Sequence, residues 1–224
     1  MDDINRRLLV AQSADIYDAM VTLGYRNQCL DVGIKPLRDD MKMAGPAFTI
    51  IGARDPLYGE DVEGDDFSTF ALFDRLYEGC VVVINAEKDD VCGHWGEMTS
   101  FGARNMGAVG AVIDGGTRDK TNMLKIPDWS CFAKYTSAVE SRSNWRVRQV
   151  QGTIFMTGTL SKSVRVDPGD WIFADNDGVL VIPIGILHEV LPIVDDIAHR
   201  EQLSREAFAK GWKIKRVVEE FGRA

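Results

Sequence analysis

The stretch Gly93-His-Trp-Gly-Glu-Met-Thr-Ser-Phe-Gly-Ala-Arg-Asn-Met-Gly-Ala-Val-Gly-Ala-Val-Ile-Asp-Gly-Gly-Thr-Arg-Asp119 decides how this chain is read. It divides into glycine loop, helix, strand and loop. Glu97 to Asn105 suits a helix, Gly107 breaks it, and Ala108 to Asp114 is a short apolar run of the kind that parallel sheets bury on both faces. Glycines ahead of a helix let the backbone approach a ligand. The free N–H groups of the first turn, at Gly96, Glu97, Met98 and Thr99, can then seat a carboxylate. Beyond the strand, Gly115-Gly116 permits unusual backbone shapes and delivers Arg118 and Asp119 beside that helix start. Arginine supplies a permanent fork for an oxyanion, and aspartate a hard oxygen for Mg²⁺ or Mn²⁺. Such a pair suits chemistry that passes through an enolate. The same residues admit plainer readings: Asp114-Gly115 as a turn, Asp119 as the cap of a short helix, Arg118 as a charge neutralised by a surface carboxylate.

Working outward, the helix-and-strand rhythm extends in both directions. Ser13 to Gly24 reads as a helix capped by Ser13, with Ile16, Met20 and Leu23 on one face. Ala44 to Ala53 reads as a strand, Phe67 to Glu78 as a helix stopped by Gly79, and Cys80 to Asn85 as a buried strand. Glu60 to Asp66 is an acidic loop. From Trp145 onward the pattern turns to β structure: Val147–Met156, Ser163–Val166, Asp170–Ala174 and Val179–Ile182, with Asn176-Asp177-Gly178 as a hairpin turn. A long amphipathic helix follows, with Leu187, Val190, Leu191, Val194 and Ala198 on one face.

The 224 residues are 45% hydrophobic and 27% charged, which suits a single domain spanning residues 1–224. A formal net charge of -8 with no basic run argues against nucleic acid and anionic lipid as partners. No apolar run is long enough to span a bilayer, and the start lacks a signal peptide's apolar core, so a soluble, cytoplasmic protein is expected. Cys29, Cys80, Cys92 and Cys131 are widely spaced, form no CxxC and are not expected to pair. His188 and His199 are expected on the exposed side of the last helix. No His/Cys metal cluster or His-based triad is therefore expected. His94 could shuttle a proton, Cys92 reads as a small buried thiol, and Trp95 reads equally as a pocket wall or a packing anchor.

Most of the chain resembles the family that joins class II pyruvate aldolases acting on 4-hydroxy-4-methyl-2-oxoglutarate to RraA-like regulators of ribonuclease E. The resemblance rests on Ser13-Ala-Asp-Ile-Tyr-Asp-Ala-Met, Trp95-Gly-Glu-Met, Gly107 to Asp119, Val166-Asp-Pro-Gly-Asp170 and Ala174-Asp-Asn-Asp-Gly-Val-Leu-Val-Ile-Pro183. It implies an α/β fold, a compact swivelling-type β/β/α domain with a long C-terminal helix, assembled as homotrimers or dimers of trimers. It implies further that Asp119 binds Mg²⁺ or Mn²⁺, that Arg118 binds a pyruvyl oxygen, and that the N–H groups of Met98 and Thr99 hold the substrate carboxylate. The activity implied is cleavage of a 4-hydroxy-2-oxo acid to pyruvate, with oxaloacetate decarboxylation as a side activity. The alternative is a non-catalytic regulator that binds a protein partner such as a ribonuclease. Aldolase members carry an acid three residues after the metal-binding aspartate, where this chain has Asn122; its oxygen could still accept from a metal-bound water, with one negative charge fewer. Glu201 is the candidate for an acid lent by a neighbouring subunit's last helix, with Glu206 and Asp196 as alternatives.

Overall fold

Runs of valine and isoleucine place the centre of the sheet. Strands β3 (Val81–Asn85) and β5 (Gly110–Thr117) are buried at every residue, which requires cover on both faces. The computed structural model describes residues 2–54, 72–142 and 144–222. In it β3 pairs in parallel with β5 and with β2 (Met43–Arg54), and β5 pairs in parallel with β6 (Ser130–Thr136). The two-residue β1 (Lys35–Pro36) adds antiparallel to β6 at one edge. At the other, β10 (Trp171–Ala174) adds antiparallel to β2 and continues into β11 (Val179–Ile182) through the expected turn.

Strand β2 is long enough to serve two neighbours on one side. Met43–Pro46 pair with β10, and Ile50–Arg54 pair with β7 (Trp145–Val150) across a bulge at Ile51/Gly52. A Cβ at Gly52 would lie 2.2 Å from the Trp145 ring, so glycine is what lets β7 close over β2 there. The run Val147–Met156, expected as one strand, is broken at Gln151 to Thr153. Its second half, β8 (Ile154–Thr157), pairs with β9 (Ser163–Val166) in a separate hairpin. That hairpin is tied to the sheet by the buried Asp114 carboxylate, which accepts the N–H (2.6 Å) and hydroxyl (2.9 Å) of Thr157 and pairs with Lys134 Nζ at 2.5 Å. Asp114 is thus a strand residue fixing tertiary structure and not part of a turn.

The β10–β11 hairpin is apolar on both faces and has a helix layer on one of them. Trp171, Phe173, Leu180 and Ile182 meet Leu8 of α1 (Asp2–Val10), Ile16 and Met20 of α2 (Ser13–Thr22), and Leu187, Val190, Leu191 and Val194 of α5 (Leu187–Ala209). The alternate residues, Ile172, Ala174, Val179 and Val181, face the main core, as the period of two in a strand dictates. Ile197 carries the α5 stripe onward where Ala198 was expected. Ser13 is not the cap of α2: Gln12 holds that position, its N–H donating to Asp15, while the Ser13 N–H donates to the Asp175 carboxylate. The expected acidic loop and most of the expected helix from Phe67 lie outside the described residues. The fold class is the α/β arrangement expected, with the long C-terminal helix in place, and α6 (Ile214–Phe221) packs back on α5. No described helix is long and apolar enough to cross a membrane.

Candidate functional site

Gly93–Trp95, expected as a ligand-cradling loop, is instead a short strand, β4, lying parallel to the end of β5 through Gly93↔Gly116 and Trp95↔Thr117. Strand β5 leaves β3 at Asp114 and takes up β4 immediately after, with a register shift against β6 between Ile113 and Gly116. The glycines serve this exchange. A Cβ on Gly116 would lie 2.2 Å from the Tyr135 ring and 2.5 Å from the Cys92 carbonyl oxygen, and one on Gly93 would lie 2.9 Å from Arg118 Cβ. The backbones therefore meet closely enough for the Arg118 N–H and the Thr117 hydroxyl to share the Trp95 carbonyl at 2.9 and 2.8 Å.

This pairing sets the start of α3 (Glu97–Asn105) beside Arg118 and Asp119. Thr99 Oγ1 accepts the Gly96 N–H, and the Glu97 N–H points at Asp119 Oδ2 at 3.4 Å. Among the described residues the N–H groups of Met98 and Thr99 make no hydrogen bond, as first-turn donors of a helix are free to do. Met98 is 69% exposed.

Asp119 stands in the left-handed region (φ 58°) at the head of α4 (Lys120–Met123), a conformation aspartate tolerates better than most residues. Its backbone carbonyl accepts the Asn122 and Met123 N–H groups, whereas its side chain makes no capping bond to α4. The carboxylate turns instead to Arg118 Nε at 3.5 Å. Arg118 also reaches the exposed Glu140 at 3.6 Å, so the plain reading of a guanidinium shared with surface acids holds in this state. Asn122 donates its amide N–H to Glu97 Oε2 at 3.1 Å, and its oxygen accepts from Lys125 at 2.9 Å. The Glu97 carboxylate is thereby held beside the Asp119 turn. Glu201 engages Arg205 on α5, and within one chain no hydrogen bond or ion pair joins it to these groups.

His94 and Trp95 point away from this cleft. Trp95 is a packing anchor, its indole N–H bonded to Ser100 Oγ and its ring edge-on to Phe73. The His94 side chain is fully buried against Trp145. Its Nε2 lies 3.1 Å from Asp89 Oδ2 and 3.6 Å from Cys92 Sγ, and its Nδ1 lies 3.2 Å from both the N–H and the carbonyl of Gly116. Asp89 Oδ2 accepts the Cys92 thiol at 3.2 Å and the N–H groups of Cys92 and Val91, and Asp89 Oδ1 pairs with Arg54 Nε at 3.0 Å. Burial and the neighbouring carboxylate push the Cys92 thiol up to about 12, and burial holds the His94 imidazole below its ordinary value. Burial works against the Asp89 carboxylate too, yet the Cys92 and Val91 donors and His94 hold it below the usual range. Glu87 (φ 51°) and Lys88 (φ 64°) precede it, two consecutive left-handed non-glycine residues costing roughly 1 kcal/mol each.

The expectation that no His/Cys cluster could form is thus overturned: Asp89, Cys92 and His94 converge with their ligand atoms within 4.8 Å of one another. Its third member is an aspartate, which a search for cysteine and histidine spacings passes over. The D-x-x-C-x-H pattern was nonetheless visible in Asp89 to His94. His188 and His199 are exposed, and all four cysteines are free.

Residues 13–181 match the model of the RraA-like family, described as Aldolase/RraA. The chain belongs to the RraA-like family. Protein DlpA of Legionella pneumophila is 28% identical over 222 residues, covering 99% of this chain and 34% of that protein, so the chain spans about a third of that relative's length. A protein of Halalkalibacterium halodurans named "Putative 4-hydroxy-4-methyl-2-oxoglutarate aldolase" is 29% identical over 158 residues, 70% of this RraA-like chain and 68% of that one. The crystal structure of Streptomyces coelicolor RraAS2, described as an unusual member of the RNase ES inhibitor RraA protein family, superposes with a TM-score of 0.76. It covers 91% of this chain and 96% of its own at 24% identity, a likeness of fold.

Proposed function

We propose that this RraA-like chain is a divalent-metal-dependent lyase that cleaves a 4-hydroxy-2-oxo acid and releases pyruvate. The observation that carries the reading is the meeting of Arg118 and Asp119 with the free N–H groups at the start of α3. The Halalkalibacterium relative, named for an aldolase, supports it. Asp119 fits a hard cation: its carboxylate is partly exposed, makes no capping bond to α4 and has the Glu97 acid nearby. Mg²⁺ or Mn²⁺ held there would polarise the 2-oxo group.

The chain's own groups do the rest. Met98 and Thr99 N–H donors seat the substrate carboxylate at the helix terminus, where the dipole also favours an anion. Arg118 then leaves Glu140 for the 2-oxo oxygen and stabilises it as bond cleavage places enolate charge there. Such preorganised stabilisation is where catalytic free energy concentrates. The 4-hydroxyl proton would pass to a water held near Asp119 in preference to His94, whose ring nitrogens face Asp89 and Gly116. In this proposal a neighbouring subunit of a trimer or dimer of trimers supplies Glu201, and oxaloacetate decarboxylation uses the same enolate chemistry.

A second reading, a non-catalytic regulator binding a protein partner, is favoured by Asn122, whose oxygen is occupied by Lys125. A coupled assay for pyruvate from 4-hydroxy-2-oxo acids and oxaloacetate, with Mg²⁺ or Mn²⁺ and again after EDTA, separates the two. Metal-dependent pyruvate that Asp119→Ala abolishes, with the fold and assembly intact, is the expected result. No metal-dependent pyruvate from any of these substrates would leave the regulator reading standing.

A further inference from the structure

We propose that Asp89, Cys92 and His94 form a second cation site, for Zn²⁺ or an ion of like softness, separate from Arg118 and Asp119 and independent of the lyase reading. The three ligand atoms are 3.1, 3.2 and 3.6 Å apart. Bonds of about 2.0 Å to nitrogen and oxygen and 2.3 Å to sulfur, at tetrahedral angles, set ligand atoms roughly 3.3–3.5 Å apart. An ion therefore enters with shifts of a few tenths of an ångström. One thiol, one imidazole and one carboxylate form a donor set that suits Zn²⁺ and not Mg²⁺ or Mn²⁺.

The groups behind the ligands are also in place. A metal-bound histidine ordinarily donates its other ring N–H to a carbonyl or carboxylate, and His94 Nδ1 already lies 3.2 Å from the Gly116 carbonyl oxygen. Asp89 Oδ1 is held by Arg54, which leaves Oδ2 directed at the cysteine and histidine. Proton bookkeeping closes without a further reagent. The Cys92 thiol proton leaves to solvent, and the imidazole proton passes from Nε2 to Nδ1, where Gly116 O accepts it and the Gly116 N–H gives up the ring nitrogen it now donates to. Thiolate and carboxylate together then balance the two charges of the ion. Three protein ligands leave one tetrahedral position for a water.

Because Asp89 follows β3 and His94 lies in β4, the ion would staple the β3–β4 connection beneath the end of β5, behind the proposed anion seat.

The test is a titration of EDTA-treated, reduced full-length protein with Co²⁺, followed by competition with Zn²⁺. One equivalent should give a thiolate-to-cobalt charge-transfer band in the near ultraviolet that Zn²⁺ displaces. The band should vanish in Cys92→Ser and survive in Asp119→Ala, which separates this site from the proposed lyase metal. Arg54→Gln should weaken Zn²⁺ binding about 10-fold. X-ray absorption of the Zn²⁺-loaded wild-type protein, which needs no variant to fold, should show one sulfur among nitrogen and oxygen ligands. A wild-type titration with no charge-transfer band, a band that persists in Cys92→Ser, or a zinc shell without sulfur would overturn the assignment.

Discussion

Replacing Gly96 with alanine adds one methyl group against the Arg118 and Asp119 side chains. Built on the present backbone, its Cβ lies 2.8 Å from Asp119 Oδ2, 3.1 Å from Arg118 Cγ and 3.4 Å from Arg118 Nε. Gly96 has φ -146° and ψ -165°, extended backbone open to any residue, so the substitution carries no conformational penalty. Restricting the unfolded chain gains up to about 1 kcal/mol, and alanine's poorer fit at a helix N-cap offsets about as much. The methyl must therefore be accommodated by the Asp119 and Arg118 side chains. Reaching ordinary contact means moving the carboxylate by roughly 0.5 Å, about the tolerance within which a catalytic constellation must be held. Since a misplacement of about 1 Å can cost roughly 100-fold in rate, a loss of about 10-fold in Mn²⁺ affinity and in turnover is expected, with thermal stability within about 1 kcal/mol of wild type. Calorimetric Mn²⁺ titration, the pyruvate assay and denaturant melts measure the three quantities. Unchanged Mn²⁺ affinity and turnover in a folded Gly96→Ala protein would refute the argument that this glycine exists to admit the Arg118–Asp119 pair. A large loss of stability would refute its backbone half.

Gly116→Ala should behave in the opposite sense: its Cβ would lie 2.2 Å from a ring carbon of Tyr135 and 2.5 Å from the Cys92 carbonyl oxygen, so urea melts should show a loss of about 3 kcal/mol or more. Asn122→Asp places a carboxylate where an amide now donates to Glu97 at 3.1 Å; like charges should lower the melting temperature of the metal-free protein, and added Mg²⁺ should reverse the sign of the effect. For Asp31, the Gly33 N–H, and with it Lys134, holds the carboxylate below its ordinary value of 3.8 against the opposing effect of burial. A depressed folded pKa gives stability that is present above 3.8 and lost as pH falls through the folded value. The stability gap between wild type and Asp31→Asn should therefore be open near neutral pH and close in acid, as denaturant midpoints across that range will measure.

What could be read from the sequence follows from how local each signal is. Helix α3 and strand β11 have the bounds expected, and β3 nearly so, because an apolar run or helical spacing closed by Gly79, Gly107 or Asp177-Gly178 is written within a few residues. Strand β6 was passed over although it supplies Cys131, Phe132 and Ala133 to the core, since Ser130 to Thr136 shows no alternation until β5 and β1 flank it. The glycines of the working stretch were legible as points of close approach but not as to what approaches. Gly116 makes room for the Tyr135 ring and the Cys92 backbone, Gly93 for the backbone and Cβ of Arg118, and Gly96 for the Asp119 carboxylate and the outer part of the Arg118 side chain. That distinction depends on contacts spanning 19 to 25 residues of sequence, between Gly116 and Tyr135, Gly116 and Cys92, and Gly93 and Arg118, well beyond the reach of local periodicity. The buried Asp89–Cys92–His94 group shows the reverse. Its members lie within six residues of one another, so spacing alone could have raised it. What places them in contact is a left-handed turn at Glu87 and Lys88, residues with no intrinsic preference for that shape. That turn is held by Asn85, whose side-chain oxygen accepts the Glu87 N–H at 2.7 Å, and by the Asp89 N–H bonded to the Ala86 carbonyl, neither of which hydrophobic periodicity reveals.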